Sequence, residues 1–349
     1  MNIDETYDIK YVTSVDDVRI KNFVENCDSS SVYHLPEWCG LINRVFKKET
    51  YYFYAESNSE EIIGVLPLIR LKSHIFGDYL VSMPYFNYGG AIANDATIEN
   101  DLINIAANLA KEIGANHIEF RDSKIRSNQW PARTDKVNMI MDLPGDIDSL
   151  GKNIGSKRRS QIKRSLREGA EKLIGGHELI DEFYEVFSTN MRDLGTPVYG
   201  KNFFIEILKT FPDLTRIILI RIKGKAAASG FLIGYRNKME IPWASTKRQY
   251  NPYSVNMLLY WEVLKYSIEN DYKKFDFGRS TIDSGTYRFK KQWGAKPIQS
   301  YWYYWLRDSQ TMPNLTTSNP KYQLAIKIWQ RLPLFIANYI GPKIVKNLP

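Results

Sequence analysis

The chain has 349 residues, of which 44% are hydrophobic and 25% charged, and its formal net charge is +8. At roughly 100–200 residues per domain this is about two domains, and the composition excludes a disordered chain, a collagen-like fibre and a polytopic membrane protein. Two cysteines, Cys27 and Cys39, exclude a disulfide-rich secreted scaffold. The acidic opening MNIDETYDIK lacks the apolar stretch of a secretory signal. No run reaches the ~18–20 apolar residues of a membrane span, so a cytoplasmic protein with reduced thiols is expected.

In chain order the pattern predicts a helix over about 35–46, strands over 51–56, 61–70 and 78–84, a helix over about 97–113 and a short strand at 117–120. A basic helix follows over about 147–172, and then the first series returns. It comprises a helix at about 201–210, strands at 216–222, 226–235 and 238–244, a helix at about 254–269 and a strand at 274–277. Helices are read from apolar residues at 3–4 spacing, such as Leu258, Leu259, Trp261, Val263, Leu264 and Ile268. Strands are read from β-branched and aromatic runs bounded by turns such as Asn58-Ser59-Glu60 and Lys223-Gly224-Lys225.

The return is an internal repeat. A shift of 166 positions lays Val32-Tyr33 on Val198-Tyr199, Trp38 on Phe204, Leu41-Ile42 on Ile207-Leu208, Gly64 on Gly230 and Leu66 on Leu232. The expectation is an α/β (α+β) protein of two similar domains, 1–146 and 147–308, each a mixed sheet flanked by helices, followed by a tail, 309–349. Antiparallel hairpins feeding a helix and a final strand are also the order of the GNAT acyltransferase core.

Two segments concentrate the charge. The basic helix carries Lys152, Lys157, Arg158, Arg159, Lys163, Arg164, Arg167 and Lys172 against Asp148, Glu168 and Glu171. It reads either as a solvated helix or as a surface for the phosphates of tRNA, a nucleotide or a polyprenyl diphosphate. The tail has no Asp or Glu and carries Lys321, Lys327, Arg331, Lys343 and Lys346 among Tyr322, Leu324, Ile328, Trp329, Phe335 and Tyr339. It reads either as a terminal helix packed on the body or, over 318–349, as a peripheral contact with an anionic membrane.

Four histidines are scattered without metal-ligand spacing, and the GxSxG, GxxxxGK[ST] and GxGxxG strings are absent. The [RQ]xxGx[GA] pyrophosphate loop of acyl-CoA enzymes is also missing. Out-of-place polar residues gather in four segments of the second copy. They are 190–199, with Asn190, Arg192 and Tyr199; 242–246, with Trp243 and Ser245; 251–256, with Asn256; and 276–280, with Asp276, Arg279 and Ser280, continued by Tyr287, Phe289 and Lys290. Strand ends and helix starts converge at one edge of an α/β sheet, where ligands bind. Arg192 and Arg279 suit a carboxylate or diphosphate, and Trp243 and Tyr199 suit a sugar or base. Asp276, at a strand end, either accepts a proton or caps a turn. Lys290 either stabilises an oxyanion or is one more lysine of a basic run.

These segments, with Tyr33-His34-Leu35-Pro36-Glu37-Trp38 and Arg331-Leu332-Pro333-Leu334, resemble the Fem-like transferases. The likeness is greatest to the FemAB-related proteins encoded beside exosortase and exopolysaccharide genes. The resemblance implies two tandem GNAT-like domains and transfer of an acyl or aminoacyl group to an amine of a cell-envelope or exopolysaccharide-related acceptor. It places Phe289-Lys290 at the reaction centre, Arg192 and Tyr199 at an acceptor phosphate, and Trp38 against the acceptor. The donor stays open between acyl-CoA, an acyl carrier and aminoacyl-tRNA. No tightly bound cofactor, metal or DNA is implied. The alternative is a non-catalytic scaffold docked at the inner face of the membrane through its tail.

Overall fold

The computed structural model describes residues 6–126, 130–308, 311–313 and 320–349, with the backbone alone at 320–322. The side chains of Lys321 and Tyr322, counted with the tail above, lie outside the described residues. The chain forms two compact units: Met1–Lys136 with Gln299–Asn314 and Lys346–Pro349, and Val137–Ile298 with Leu315–Val345.

The first unit contains β1 (Tyr7–Val12), α1 (Val18–Asn26), α2 (Glu37–Phe46), β2 (Glu49–Ser57), β3 (Ile62–Ser73), β4 (Gly77–Val81), β5 (Ile92–Ala93), α3 (Ala96–Glu112), β6 (His117–Asp122) and β7 (Ala132–Arg133). The second contains β8 (Lys136–Asp142), α4 (Ile147–Asn153), α5 (Gly155–Arg167), β9 (Ala170–Gly175), α6 (Ile180–Leu194), α7 (Lys201–Thr210), β10 (Thr215–Ile222), β11 (Lys225–Tyr235), β12 (Lys238–Thr246), α8 (Val255–Glu269), β13 (Lys274–Thr281), α9 (Gly285–Gln292) and β14 (Lys296–Gln299). The chain then adds β15 (Tyr301–Leu306) to the first sheet and continues into α10 (Pro320–Trp329) and α11 (Leu334–Val345).

The two sheets run β1-β2-β3-β4-β6-β15-β7, with β5 on β3, and β14-β8-β13-β12-β11-β10-β9. Each is antiparallel for four strands, then makes one parallel pairing, β4 with β6 and β12 with β13. The two glycines aligned by the repeat have the same task. A Cβ on Gly64 would lie 2.7 Å from the Ala93 Cβ and 3.0 Å from Ile98 of α3, and one on Gly230 would lie 2.9 Å from Ile241 and 3.7 Å from Leu259 of α8. Each bare backbone lets the long helix settle on its sheet, where Leu102, Ala106 and Ala110, or Leu258, Leu259 and Val263, complete the core.

Three expectations are corrected. The basic segment is not one helix: Gly155 at φ 78° separates α4 from α5, Gly169 at φ 79° ends it, and residues from Ala170 form β9. The division falls after Lys136 rather than 146, because β8 is a strand of the second sheet, and the first unit recovers 299–314 through β15. The tail is also divided: Lys346–Pro349 belongs to the first unit, where the Tyr79 hydroxyl donates to the Asn347 carbonyl at 3.0 Å. No helix of the described residues is long and apolar enough to cross a membrane.

Candidate active site at the split between two strands

The candidate site opens where a proline interrupts a strand. Pro242 stands inside β12, where it has no N–H to give a neighbouring strand. The register of β12 against β11 slips there, between Phe231 and Ile233. On its other edge β12 pairs with β13 only through Lys238, Met239 and Glu240, opposite Lys274, Phe275 and Asp276. Beyond Glu240 and Asp276 no ladder joins the two strands. One limb of the split carries 241–246 and the other 277–281.

At the base of the split Asp276 is fully buried. One carboxylate oxygen accepts the Gly278 N–H at 2.7 Å, and the other lies 3.7 Å from the Lys238 ammonium. Asp276 is therefore the third residue of β13, not a strand end as the sequence suggested, and it shapes the limb beyond it. Helix α9 starts from Ser284, whose hydroxyl accepts the Tyr287 N–H, and its last turn returns Lys290 to the limb. The Lys290 ammonium is buried and donates to the carbonyls of Gly278 and Arg279, each at 3.0 Å. Burial pushes its pKa down to about 8, while the neighbouring Asp276 carboxylate pulls the other way. An amine that is mostly protonated at neutral pH and titrates near pH 8, fixed by two carbonyls at a strand split, can stabilise developing negative charge or exchange a proton.

The other candidates divide. Asn190, at the end of α6, donates to the Ser245 hydroxyl on the β12 limb at 3.2 Å, and Asn256, in the first turn of α8, lies 3.4 Å from the Thr246 hydroxyl on the same limb. Ser280 is buried on the β13 limb and Arg279 is exposed there. Tyr199 meets the Trp243 ring edge-on, with centroids 6.1 Å apart. Trp243 itself is largely buried among Phe203, Phe204 and Phe231, so it is a wall of the limb and offers no free stacking face. Arg192 binds Asp193 at 2.7 Å and the Leu332 carbonyl at 3.1 Å. Tyr287 lies in the hydrophobic core, and Phe289 packs edge-on against Tyr260, with centroids 5.0 Å apart.

Trp38 is corrected outright. It is fully buried in the first unit, donates from Nε1 to the Val32 carbonyl at 2.9 Å and packs on Tyr33 and Phe86. It is a core residue there, with no surface to offer an acceptor. Sequence reading also missed Glu240 and Lys238, and it singled out 242–246 without giving Pro242 a role, although a proline two residues after a glutamate within a β-run was the available signal.

The first unit shows what the same split becomes when it is filled. Glu119 is the last residue of the β4–β6 parallel pairing, as Asp276 is in β13. It is paired with Arg121 at 2.8 Å and accepts the Tyr304 hydroxyl at 2.6 Å. Arg121 continues to the Met83 carbonyl at 3.3 Å and lies over the Trp302 ring at 4.3 Å. Buried side chains thus close the first split.

Comparison with known proteins bears on the fold. Residues 156–291 match the family model of the acetyltransferase (GNAT) domain. No curated protein matches the chain. Among solved structures FemX is similar over 91% of this chain and 100% of its own, with a TM-score of 0.62 at 13% identity. The C-terminal domain (DUF2156) of a putative lysylphosphatidylglycerol synthetase from Agrobacterium fabrum is similar over 82% of this chain and 90% of its own, with a TM-score of 0.55 at 15% identity. A tandem GNAT protein from the clavulanic acid biosynthesis pathway is similar over 88% of this chain and 100% of its own, with a TM-score of 0.51 at 10% identity. The fold is that of two GNAT-like units in tandem, which is the fold the Fem resemblance implies.

Proposed function

We propose that the second unit is an acyltransferase or aminoacyltransferase centre that delivers its group to an amine. The observation that carries this reading is the buried Lys290 ammonium, held on the Gly278 and Arg279 carbonyls beside the β12–β13 split, with a pKa of about 8. In aminolysis a neutral amine attacks the ester or thioester carbonyl, the oxyanion collapses, and the proton lost by the amine goes to the departing oxygen or sulfur. Lys290, protonated below about pH 8, supplies positive charge to the oxyanion. Asn190, Ser245, Asn256, Arg279 and Ser280 border the limbs and position the reactants. Tyr199 stands beside the β12 limb against Trp243, and with Arg192, whose guanidinium is engaged by Asp193 and the Leu332 carbonyl, it is assigned by the Fem resemblance to an acceptor phosphate.

For the donor, the surface of α5 favours aminoacyl-tRNA. Its cations Lys157, Arg158, Arg159, Lys163, Arg164 and Arg167 have no acid among them, and Arg159, Lys163 and Arg167 line one open groove of about 680 Å³. Such a stripe recognises successive phosphates without base readout. FemX and the putative lysylphosphatidylglycerol synthetase share the fold and support an envelope-related acceptor, while the GNAT match keeps acyl-CoA as the competing donor.

Binding measured by calorimetry over a salt series separates the donors. Aminoacyl-tRNA should bind with a steep logarithmic salt slope, and replacing Arg159, Lys163 and Arg167 by serine should reduce the slope by about 2–3. Acyl-CoA binding with no tRNA affinity would transfer the donor role to the thioester. Binding of neither, nor of acyl-carrier protein, would overturn the enzyme reading and favour the scaffold.

A further inference from the structure

Helices α10 and α11 both pack on α6. On α11 the contact face is Ala337, Gly341 and Val345, all buried, and Gly341 is so close to Val198 that a Cβ would lie 2.8 Å from its backbone nitrogen. Positions two apart on a helix point roughly 200° from one another, so Phe335, Tyr339 and Lys343 form the stripe facing away from α6. Phe335 is 74% and Tyr339 69% exposed, and the Lys343 ammonium lies 3.7 Å above the centre of the Tyr339 ring. On α10 the face turned inward carries Ile326, which lies against Gly195 at the end of α6. The outward face carries Leu324 and Ile328, 63% and 56% exposed, with Lys327 exposed beside them and Arg331 just beyond.

Two short helices thus spend one apolar face on the body and leave a second unpartnered. Large apolar groups seldom remain in water in such groupings without a surface to meet. What covers them is decided by charge. From residue 309 onward the sequence contains no Asp or Glu, so every formally charged side chain that these two helices carry is a cation. The acids of α6 beneath them, Asp181, Glu182, Glu185 and Asp193, are ion-paired with Lys201, Arg221, Lys247 and Arg192 respectively. A protein partner of ordinary mixed charge gains nothing from that one-sided field, whereas an anionic bilayer matches it. Phe and Leu enter the acyl boundary, Tyr stays at headgroup level, and Lys and Arg reach the lipid phosphates.

We propose that the outward stripes of α10 and α11, Leu324 and Ile328 with Phe335 and Tyr339, dock this protein peripherally on an anionic lipid bilayer. The docking is independent of the transfer chemistry: it uses none of the residues at the β12–β13 split.

The test is flotation of the full chain with vesicles of pure phosphatidylcholine and of phosphatidylcholine with one-third phosphatidylglycerol. The protein should float with the mixed vesicles and remain behind with the neutral ones. A variant combining Leu324→Ser, Ile328→Ser, Phe335→Ser and Tyr339→Ser should bind the mixed vesicles at least about tenfold less. Lys327→Gln with Lys343→Gln should lose binding and leave the remainder less sensitive to salt. The four apolar positions are exposed, so circular dichroism and the unfolding midpoint of the variant should match the wild type. Flotation equal for wild type and the four-position variant would overturn the proposal, as would failure of the wild type to float with either vesicle. A concentration-dependent dimer that disappears in the variant, without vesicle binding, would assign the stripes to a second copy of the chain and likewise overturn it.

Discussion

Replacing Lys290 by methionine separates what this residue does for the reaction from what it does to the fold. Its pKa falls from an ordinary 10.5 to about 8 because the ammonium is buried. At about 1.4 kcal/mol per pH unit of displacement, burial costs the protonated form roughly 3 kcal/mol at neutral pH. The folded-state pKa lies below the unfolded one, so the unfolded chain binds more protons between about pH 8 and 10.5, and the stability of the native protein rises through that window. Methionine fills a similar volume without the charge, and the loss of two bonds to the Gly278 and Arg279 carbonyls offsets the relief by about 1–3 kcal/mol. Lys290→Met is therefore expected within about 2 kcal/mol of wild type at pH 7. On moving to about pH 9.5 the wild type should gain about 2 kcal/mol on the variant. Urea unfolding of both proteins at the two pH values measures this. A gap that stays constant with pH, or that moves in the variant's favour, refutes the buried-ammonium account. Transfer activity should vanish in the same folded variant, and wild-type activity should decline above about pH 8 as the ammonium is lost. Wild-type rates in the variant would remove Lys290 from the mechanism, and a rate that rises through pH 8 would make it a base.

Two further outcomes test the first unit. His117 stacks on Tyr79 with centroids 4.7 Å apart, and burial holds its pKa down to about 4 from 6.5. The unfolded chain gains that proton first, so stability should fall by roughly 3 kcal/mol as pH drops through this window. His117→Phe should keep the stack and flatten that part of the acid-unfolding profile. Arg126 binds Asp122 at 2.6 Å and Glu99 at 2.9 Å, with all three side chains buried. Arg126→Met should cost about 3–5 kcal/mol in denaturant unfolding by stranding the buried Asp122 carboxylate and leaving Glu99 with Lys124 alone. Adding Asp122→Asn and Glu99→Gln should return much of it.

The repeat was legible because it is carried by residues that must be small or apolar at fixed places. Gly64 and Gly230 meet their helices at matching positions, and the hairpins around them follow from the β-branched runs on either side. The cluster at 276–290 was likewise legible as misplaced polarity. What the sequence hid is mostly partnership between distant strands. The run Tyr-Trp-Tyr-Tyr-Trp-Leu at 301–306 announces a strand but not that its neighbours are β6 and β7. Trp38 shares with a binding aromatic its place on a helix. Only the packing of Tyr33 and Phe86 around it shows that it is enclosed. Asp276 reads as a strand end because the predicted strand stops at 277, yet β13 continues to Thr281. The split itself needed Pro242 and the register of two strands to be seen together.

The placement of β15 also fixes an order of assembly during synthesis. The ribosome releases residues 1–136 first, but β6 receives its antiparallel neighbour only when Tyr301–Leu306 has been made, after the second unit. Until then β6 keeps an open edge, and Glu119 lacks the Tyr304 hydroxyl. The nascent first sheet is thus held incomplete through about half of elongation, a period in which it is open to mispairing and to chaperones. Expression of the first unit alone would reproduce that unfinished intermediate, and supplying 299–314 as a fused segment after residue 136 would complete it.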